Sequence, residues 1–228
     1  LAPFLTSPVT GWYTADTTPD FAWNAVEYGD TYEIQIDDLS SFAATIDQTA
    51  TGLNLSYTAT PLTDGLKYWR VRAINNRGEP GAWSASRSFT VVTTPPDAPV
   101  LSSPVDVFTV RGTPKYSWLA ASGGKFYQFE YAVSPDFLTG KYTSPDLVGL
   151  YFTPPTQAPG TYFWHVRAKN EVDLWGDWSA SRQIEIEPLV PVAPALTSPS
   201  TGLLTSDNTP ELNWNAVTYG NTYEIQID

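Results

Sequence analysis

Residues 23–37 read WNAVEYGDTYEIQID, and residues 214–228 read WNAVTYGNTYEIQID. The same offset of 191 residues aligns residues 1–37 with residues 192–228, and 25 of those 37 positions are identical. A more divergent version lies halfway, at residues 116–131, about 95 residues after the first. Internal repetition at a fixed period is typical of domain arrays. The sequence therefore predicts a tandem array with a period near 95 residues and a stronger period of 191.

Within each copy, apolar and polar residues alternate as they do in a strand with one buried face. In TYEIQID, Tyr32, Ile34 and Ile36 form the apolar set, and in LKYWRVRAIN the residues Trp69 and Val71 do so. The chain also has 20 prolines and 15 glycines, which favour short strands joined by turns. Seven or so strands in each 95 residues, without helix, predict an all-β fold of tandem antiparallel β-sandwiches.

The repeat boundaries follow from the alignment of the copies. We predict repeat one at 1–92, a Pro-rich linker at 93–97, repeat two at 98–187, a second Pro-rich linker at 188–192, and the first three strands of repeat three at 193–228. Proline favours extended polyproline II structure, so we expect semi-rigid spacers. Because both ends carry the same half of a repeat, we expect these residues to be a window on a longer array.

Several patterns resemble fibronectin type III repeats, and the resemblance covers essentially the whole chain. They are a tryptophan on the second strand, an aromatic-x-Val-x-Ala strand, a following Gly-x-Trp-Ser, and no cysteine pair. The resemblance implies a tyrosine corner, a tyrosine six residues before that alanine. Repeat two has Tyr162 before Ala168, whereas repeat one has Lys67, so there the corner hydrogen bond must be absent or replaced.

The WSASR strands are similar to the WS-containing strand of cytokine-receptor modules of this fold. That similarity implies outward arginines stacked on tryptophan in a cation–π ladder. The expected members are Arg72 and Arg87 around Trp83, and Arg167 and Arg182 around Trp178.

Five tryptophans at equivalent repeat positions are the predicted structural core. A buried aromatic side chain removes about 150–250 Å² from water, which contributes on the order of 4–6 kcal/mol as an upper figure. Net domain stability is only about 5–15 kcal/mol, so one such residue can decide folding. These core residues are Trp23, Trp69, Trp118, Trp164 and Trp214.

Trp175 has no tryptophan counterpart in the other repeats. It lies in EVDLWGDW, before the last strand of repeat two, between Asp173 and Asp177. The resemblance implies that this loop carries recognition in many relatives. Two interpretations remain open: packing onto the linker or the next domain, or a partner or glycan contact by Trp175, Asp173 and Asp177.

Charge and composition exclude several functions. The net charge of −12 repels phosphate backbones and anionic lipid, so neither nucleic acid nor membrane headgroups are expected partners. No apolar run approaches the roughly 20 residues that a membrane helix needs, so no membrane insertion is expected. His165 is the only histidine, we expect it to face outward, and the chain has no cysteine. No Ser-His-Asp or Cys-His set can therefore recur in every repeat, and no calcium-loop spacing is found. We predict no enzyme activity, no catalytic residue, no cofactor and no metal site.

These features favour a secreted structural repeat protein, forming a rod, stalk or filament on a bacterial cell surface or in an extracellular matrix. Neighbouring repeats or copies of the same protein are its expected partners. One alternative is a glycan-binding or adhesive module. Another is a set of spacer domains in a secreted polysaccharide-degrading enzyme. Near-identity at 191 residues favours the first, because a repeating interface needs repeated surfaces.

Overall fold

A computed structural model describes residues 1–43 and 46–227, and the secondary structure of those residues consists of strands, turns and bends. The predicted all-β fold class is confirmed. Repeat one contains β1 (Leu5–Ser7), β2 (Trp12–Thr14), β3 (Asp20–Trp23), β4 (Thr31–Asp37), β5 (Gln48–Gly52), β6 (Ser56–Thr58), β7 (Gly65–Ile74) and β8 (Arg87–Val91).

These strands form two sheets. One has the order β1-β3-β6, and the other has the order β2-β8-β7-β4-β5. β2 pairs with β8 in parallel, and β4 lies antiparallel between β5 and β7. In β4, Ile34 is opposite Val71 and Ile36 is opposite Trp69. Side chains opposite each other share a face, so the period of two places these residues together in the core.

Repeat two has the same arrangement. Its strands are β9 (Leu101–Ser103), β10 (Phe108–Arg111), β11 (Tyr116–Trp118), β12 (Phe126–Ala132), β13 (Tyr142–Thr143), β14 (Tyr151–Phe152), β15 (Gly160–Lys169) and β16 (Arg182–Glu187). The sheet orders are β14-β11-β9 and β10-β16-β15-β12-β13. Strand for strand, this is the topology of repeat one.

Each repeat has a hydrophobic core of its own. One core cluster runs from Leu5 to Val91 and the other from Leu101 to Ile186, and they share no residue. The predicted core tryptophans Trp23 and Trp69 are buried in the first cluster, and Trp118 and Trp164 are buried in the second. Because neither core borrows side chains from the other, each repeat is expected to fold as a separate cooperative unit.

Residues 193–227 differ from the prediction. They contain β17 (Leu196–Ser198) and β18 (Asn213–Trp214), but the predicted third strand does not pair there. Trp214, predicted as core, is only half-buried. In repeat one the corresponding residues are covered by β7 and β8, and residues 193–227 hold no counterpart of those strands. A tryptophan and a strand sequence are therefore not sufficient to make a core without the opposite half of the sandwich.

Candidate functional site

An alternating stack of aromatic rings and cations lies on the outer face of the five-stranded sheet of repeat one. The Arg70 guanidinium lies 4.1 Å from the centre of the Phe42 ring and 4.3 Å from that of Trp83. Arg72 continues the stack at 4.4 Å from the Trp83 ring. Gln35 accepts two hydrogen bonds from Arg70, at 3.0 and 2.8 Å. We call this row the aromatic–cation stack of repeat one.

Repeat two carries a corresponding stack with a different cation pattern. His165 takes the place of Arg70, with its ring 3.6 Å from Phe137 and 3.9 Å from Trp178. Arg167 lies 4.5 Å from the Trp178 ring and 4.3 Å from Trp175. Each cation–aromatic contact contributes about 0.5–2 kcal/mol, so the row stiffens the outer face of the sheet.

Two members of the expected cation–π ladder lie elsewhere. Arg87 is opposite Trp69 in the β7–β8 pair, and Arg182 is opposite Trp164 in the β15–β16 pair. Because the tryptophans face the core, these arginines point toward the inner edge of the sandwich rather than outward. Arg87 donates there to the carbonyls of Thr6 and Pro8, at 3.1 and 2.9 Å.

The sequence analysis did not predict Arg70 and His165, which occupy the places in the stacks that were expected for Arg87 and Arg182. Arg70 and His165 lie two positions before Arg72 and Arg167 on the same strands, so the period of two could have identified them. His165 is on the outer face, as expected, but it is buried by the two rings that stack on it.

The ring at the start of each stack is set by an unusual backbone conformation. Phe42 has φ = 51° and Phe137 has φ = 57°. The left-handed region costs a residue with a side chain roughly 1–2 kcal/mol, and it is rare for a bulky aromatic. The Phe42 ring lies over the Arg70 guanidinium, and the Phe137 ring lies over the His165 imidazole. We infer that the stacking contacts offset the strain, and no sequence pattern indicates this conformation.

The pKa of His165 is set by its burial between the Phe137 and Trp178 rings and by the charged groups around it. Burial lowers the pKa of His165, as do the charges of Lys141 and Arg167, and the hydrogen bond that His165 donates to the Glu130 carboxylate opposes this shift only in part. The His165 Nε2 and Glu130 Oε2 atoms are 3.2 Å apart. Burial alone would raise the pKa of Glu130, yet hydrogen bonds from Thr143 and His165 and the charge of Lys141 hold it below its ordinary value. Around neutral pH the stack therefore holds a neutral imidazole beside a carboxylate.

This arrangement predicts that repeat two loses stability on mild acidification. A base with a lowered pKa in the folded state binds fewer protons there than in the unfolded chain, so stability falls below about pH 6.5 and levels off below the folded-state pKa. Glu130 adds its own loss at lower pH, below its unfolded value. Denaturant unfolding between pH 7 and 5 measures the first effect. The double variant His165→Arg/Glu130→Gln, which carries the pair of repeat one, should be flatter; an equal slope would contradict the prediction.

Trp175 lies at the end of the stack of repeat two. The backbone of Trp175 forms an isolated antiparallel bridge with that of Lys169. The Trp175 side chain is half-buried, and the Lys169 ammonium is 5.2 Å from its ring. Asp173 forms an ion pair with Lys169 at 2.8 Å, and Asp177 is exposed. The glycan or partner contact through Trp175, Asp173 and Asp177 stays a prediction.

A sugar that stacked on the Arg167 side of Trp175 would have to displace that guanidinium. We therefore expect a panel of oligosaccharides to produce no change in tryptophan fluorescence that depends on Trp175. Titrating the wild-type chain and a Trp175→Ala variant side by side makes this measurement. A saturable change lost in the variant would support the glycan interpretation instead.

The predicted tyrosine corner is present in repeat two. The Tyr162 hydroxyl donates to the Ala158 carbonyl at 3.0 Å. Repeat one replaces it with an ionic cluster, in which the buried Lys67 ammonium donates to the Asp38 carboxylate, to Asp47 at 3.2 Å, and to the Thr63 hydroxyl at 3.1 Å. The same position in the fold thus holds a tyrosine hydrogen bond in repeat two and a lysine ion-pair cluster in repeat one.

The strand order that both repeats share decides the fold, and the tyrosine corner of repeat two agrees with it. Both repeats have a fibronectin type III-like fold. No protein-family model matches the chain, and no curated protein matches its sequence significantly.

Similar solved structures also contain fibronectin type III-like domains. The fibronectin(III)-like modules of Clostridium thermocellum CbhA are 16% identical with a TM-score of 0.42, over 82% of this chain and 94% of that one. The FN1–FN3 domains of chicken CNTN1 are 17% identical with a TM-score of 0.45, over 81% of this chain and 66% of that one.

The linker between the two fibronectin type III-like repeats is anchored on repeat one by a single carboxylate. Asp64 accepts hydrogen bonds from the Thr93 amide at 3.0 Å, the Thr93 hydroxyl at 2.6 Å and the Thr94 hydroxyl at 3.1 Å. The hydrogen bonds from Thr93 and Thr94 hold the pKa of Asp64 below its ordinary value. From repeat two, the Asn170 side chain donates to the Thr94 carbonyl at 3.4 Å.

The other end of the linker is docked against repeat two. Pro96 is buried, and a Cβ added at Gly176 would lie only 2.1 Å from its carbonyl oxygen. A Cβ at Gly123 would lie 3.5 Å from the Pro96 Cα, and the Asp97 amide donates to the Ser122 carbonyl at 3.0 Å. The lack of a side chain at Gly176 thus lets the linker backbone approach the sandwich closely, whereas a Cβ at Gly123 would make only an ordinary van der Waals contact.

Across residues 1–43 and 46–227, no group of three or more His, Asp and Glu side chains is placed to hold a metal ion. No helix in the same ranges is long and apolar enough to cross a bilayer. The features that the geometry does bring together are the two stacks and the anchored linker.

Proposed function

We propose that this chain is a non-catalytic spacer: a secreted rod, stalk or filament segment of fibronectin type III-like repeats on a cell surface or in an extracellular matrix. The observation that carries the proposal is the linker held at both ends. A chain whose only task was to tether two domains would need no such anchoring, whereas a rod must transmit orientation from one repeat to the next.

The surface chemistry supports the same function. The 95-residue period repeats both the sandwich and its Pro-rich linker, which is what a regularly spaced assembly requires. The net charge of −12 repels phosphate backbones and anionic lipid. We therefore propose neighbouring repeats and other copies of this protein as its partners, rather than nucleic acid or lipid.

Imaging the natural material by negative stain tests this function directly. We expect thin strings of beads that can be removed from intact cells by protease, with a bead spacing set by one repeat. Compact particles retained inside the cell would overturn the proposal.

The rigidity of the linker between repeats one and two can be tested by adding a single methyl group at Gly176. Gly176→Ala places a Cβ where the Pro96 carbonyl lies, so the linker must leave its dock while both cores stay intact. We expect the two repeats to tumble more independently, seen as divergent alignment tensors from residual dipolar couplings. Gly52→Ala is the matched control, because nothing lies within 4 Å of its added Cβ. Unchanged tensors in Gly176→Ala would contradict a rigid joint.

A further inference from the structure

Three tyrosine side chains meet beside the short edge strand β13 of repeat two. At the corresponding positions, 95 residues earlier, repeat one has one aliphatic and two charged side chains. Tyr131, Tyr142 and Tyr162 take the places of Ile36, Asp47 and Lys67. The Tyr131 and Tyr142 side chains are half-buried, so part of each remains in contact with solvent. The ionic cluster of repeat one is thus replaced in repeat two by a group of phenols.

Tyr131 and Tyr142 form a parallel pair of rings across two strands. They are directly opposite each other in the antiparallel pairing of β12 and β13. Their ring centres are 5.2 Å apart, and their planes are inclined by 13°. Tyr162 meets Tyr131 edge-on at 5.4 Å, and its hydroxyl donates to the Ala158 carbonyl. Across residues 1–43 and 46–227, these two are the tyrosine–tyrosine ring contacts of the structure, and both involve Tyr131.

We propose that Tyr131 and Tyr142 are a site of oxidative cross-linking, which joins the two rings as dityrosine. The oxidant is hydrogen peroxide acting through a haem peroxidase. Each phenol gives up one electron and one proton, and the two phenoxyl radicals form a carbon–carbon bond between ring carbons ortho to the hydroxyls. The hydrogen on each bonded carbon then moves to the oxygen, which restores both phenols. The two electrons and two protons reduce one peroxide molecule to two water molecules. The supply of oxidant rests on the extracellular location proposed above, whereas the tyrosine pair does not.

The geometry favours coupling within one chain. Radicals formed on two rings that already touch need only a side-chain rotation to react, whereas rings on separate chains must first meet by diffusion. The bond would also form where the sheet pairing is short, because β13 pairs with β12 at two positions, whereas β5 of repeat one pairs with β4 at five. A covalent link at Tyr142 would therefore fasten an edge strand that few backbone hydrogen bonds hold.

Photo-oxidation of the purified, dilute chain with a ruthenium tris(bipyridyl) complex and persulfate tests the site independently of where the protein is located. We expect monomers with the blue fluorescence of dityrosine and a mass lower by two hydrogen atoms. Tyr142→Phe keeps the ring stack but cannot form the second phenoxyl radical, so it should lower this fluorescence at least about tenfold. Tyr151→Phe is the matched control, because Tyr151 is 56% exposed but belongs to neither tyrosine contact, and it should leave the yield unchanged.

Peptide mapping locates the bond. Cleavage after Lys141 puts Tyr131 and Tyr142 on separate peptides, which the cross-link would hold together. No dityrosine in the monomers, an equal yield in Tyr142→Phe, or a bond mapped between Tyr131 and Tyr162 would each overturn the proposal.

Calorimetry measures what the bond does to the fold. Relative to Tyr142→Phe oxidised in the same way, the cross-linked monomer should show a raised unfolding transition of repeat two, because the link restricts the unfolded chain. The transition of repeat one should not move. An equal transition of repeat two in both samples would overturn the fastening of β13.

Discussion

Replacing Trp69 with alanine is expected to unfold repeat one while repeat two stays folded. The Trp69 side chain is fully buried and packs edge-on against Phe21. Removing a buried tryptophan costs about 3–5 kcal/mol, which is a large part of the roughly 5–15 kcal/mol that stabilises a domain. Because the two cores share no residue, the loss should stay within one repeat. Calorimetry should show one transition shifted sharply downward and the other retained.

Two variants serve as controls. Trp164→Ala should reverse the outcome, destabilising repeat two and leaving the transition of repeat one in place. Leu66→Ala, on the same strand as Trp69 but 49% exposed, should change stability by less than about 0.5 kcal/mol. A Trp69→Ala chain that loses both transitions together would show that the repeats fold as one unit, against the separate cores.

Replacing Lys67 with alanine is the second large expected effect. The Lys67 side chain is 2% exposed, whereas those of Asp38 and Asp47 are 59% and 34% exposed. The two carboxylates can be hydrated after the change, so we expect a loss of about 1–3 kcal/mol rather than the full cost of a stranded buried charge. Denaturant unfolding of repeat one measures it. No loss in Lys67→Ala would show that the ionic cluster does not stabilise the repeat.

Replacing Lys67 with tyrosine would introduce into repeat one the residue that repeat two has at this position. Thr63 corresponds to Ala158, whose carbonyl accepts the tyrosine-corner hydrogen bond in repeat two. Lys67→Tyr should therefore recover part of the stability that Lys67→Ala loses. In repeat two, Tyr162→Phe removes the corresponding hydrogen bond and should lower the free energy of unfolding by about 0.5–1.5 kcal/mol. A Lys67→Tyr variant no more stable than Lys67→Ala would show that the two corners are not interchangeable.

Alkaline pH should act on Lys67 as well. Burial lowers the pKa of this lysine, but hydrogen bonds and charge attraction from Asp38 and Asp47 outweigh it, so the pKa is raised. A raised pKa in the folded state gives a contribution that is complete below the unfolded value, about 10.4, and is lost as pH rises through the folded value. The wild-type repeat should therefore lose more stability at high pH than Lys67→Ala does, because alanine does not titrate.

Much of the fold follows from the sequence alone. The period of two in TYEIQID and LKYWRVRAIN determines which side chains face inward, since that alternation is a local property of an extended strand. The 95- and 191-residue offsets carry the same pattern from one repeat to the next, which made the buried tryptophans of repeats one and two predictable. The exception was Trp214, because burial also needs the strands that lie opposite.

Contacts between distant strands and loops were decided only by the tertiary structure. Arg70 and Arg87 lie on the neighbouring strands β7 and β8 of one sheet. The pairing register puts Arg87 at the inner edge of the sandwich, whereas Arg70 lies between Phe42 and Trp83. Phe42 reaches that stack through a left-handed backbone, and Pro96 docks because Gly176 lacks a side chain. Alternation along a strand depends on neighbouring residues, whereas these contacts depend on how loops bring together residues far apart in the chain.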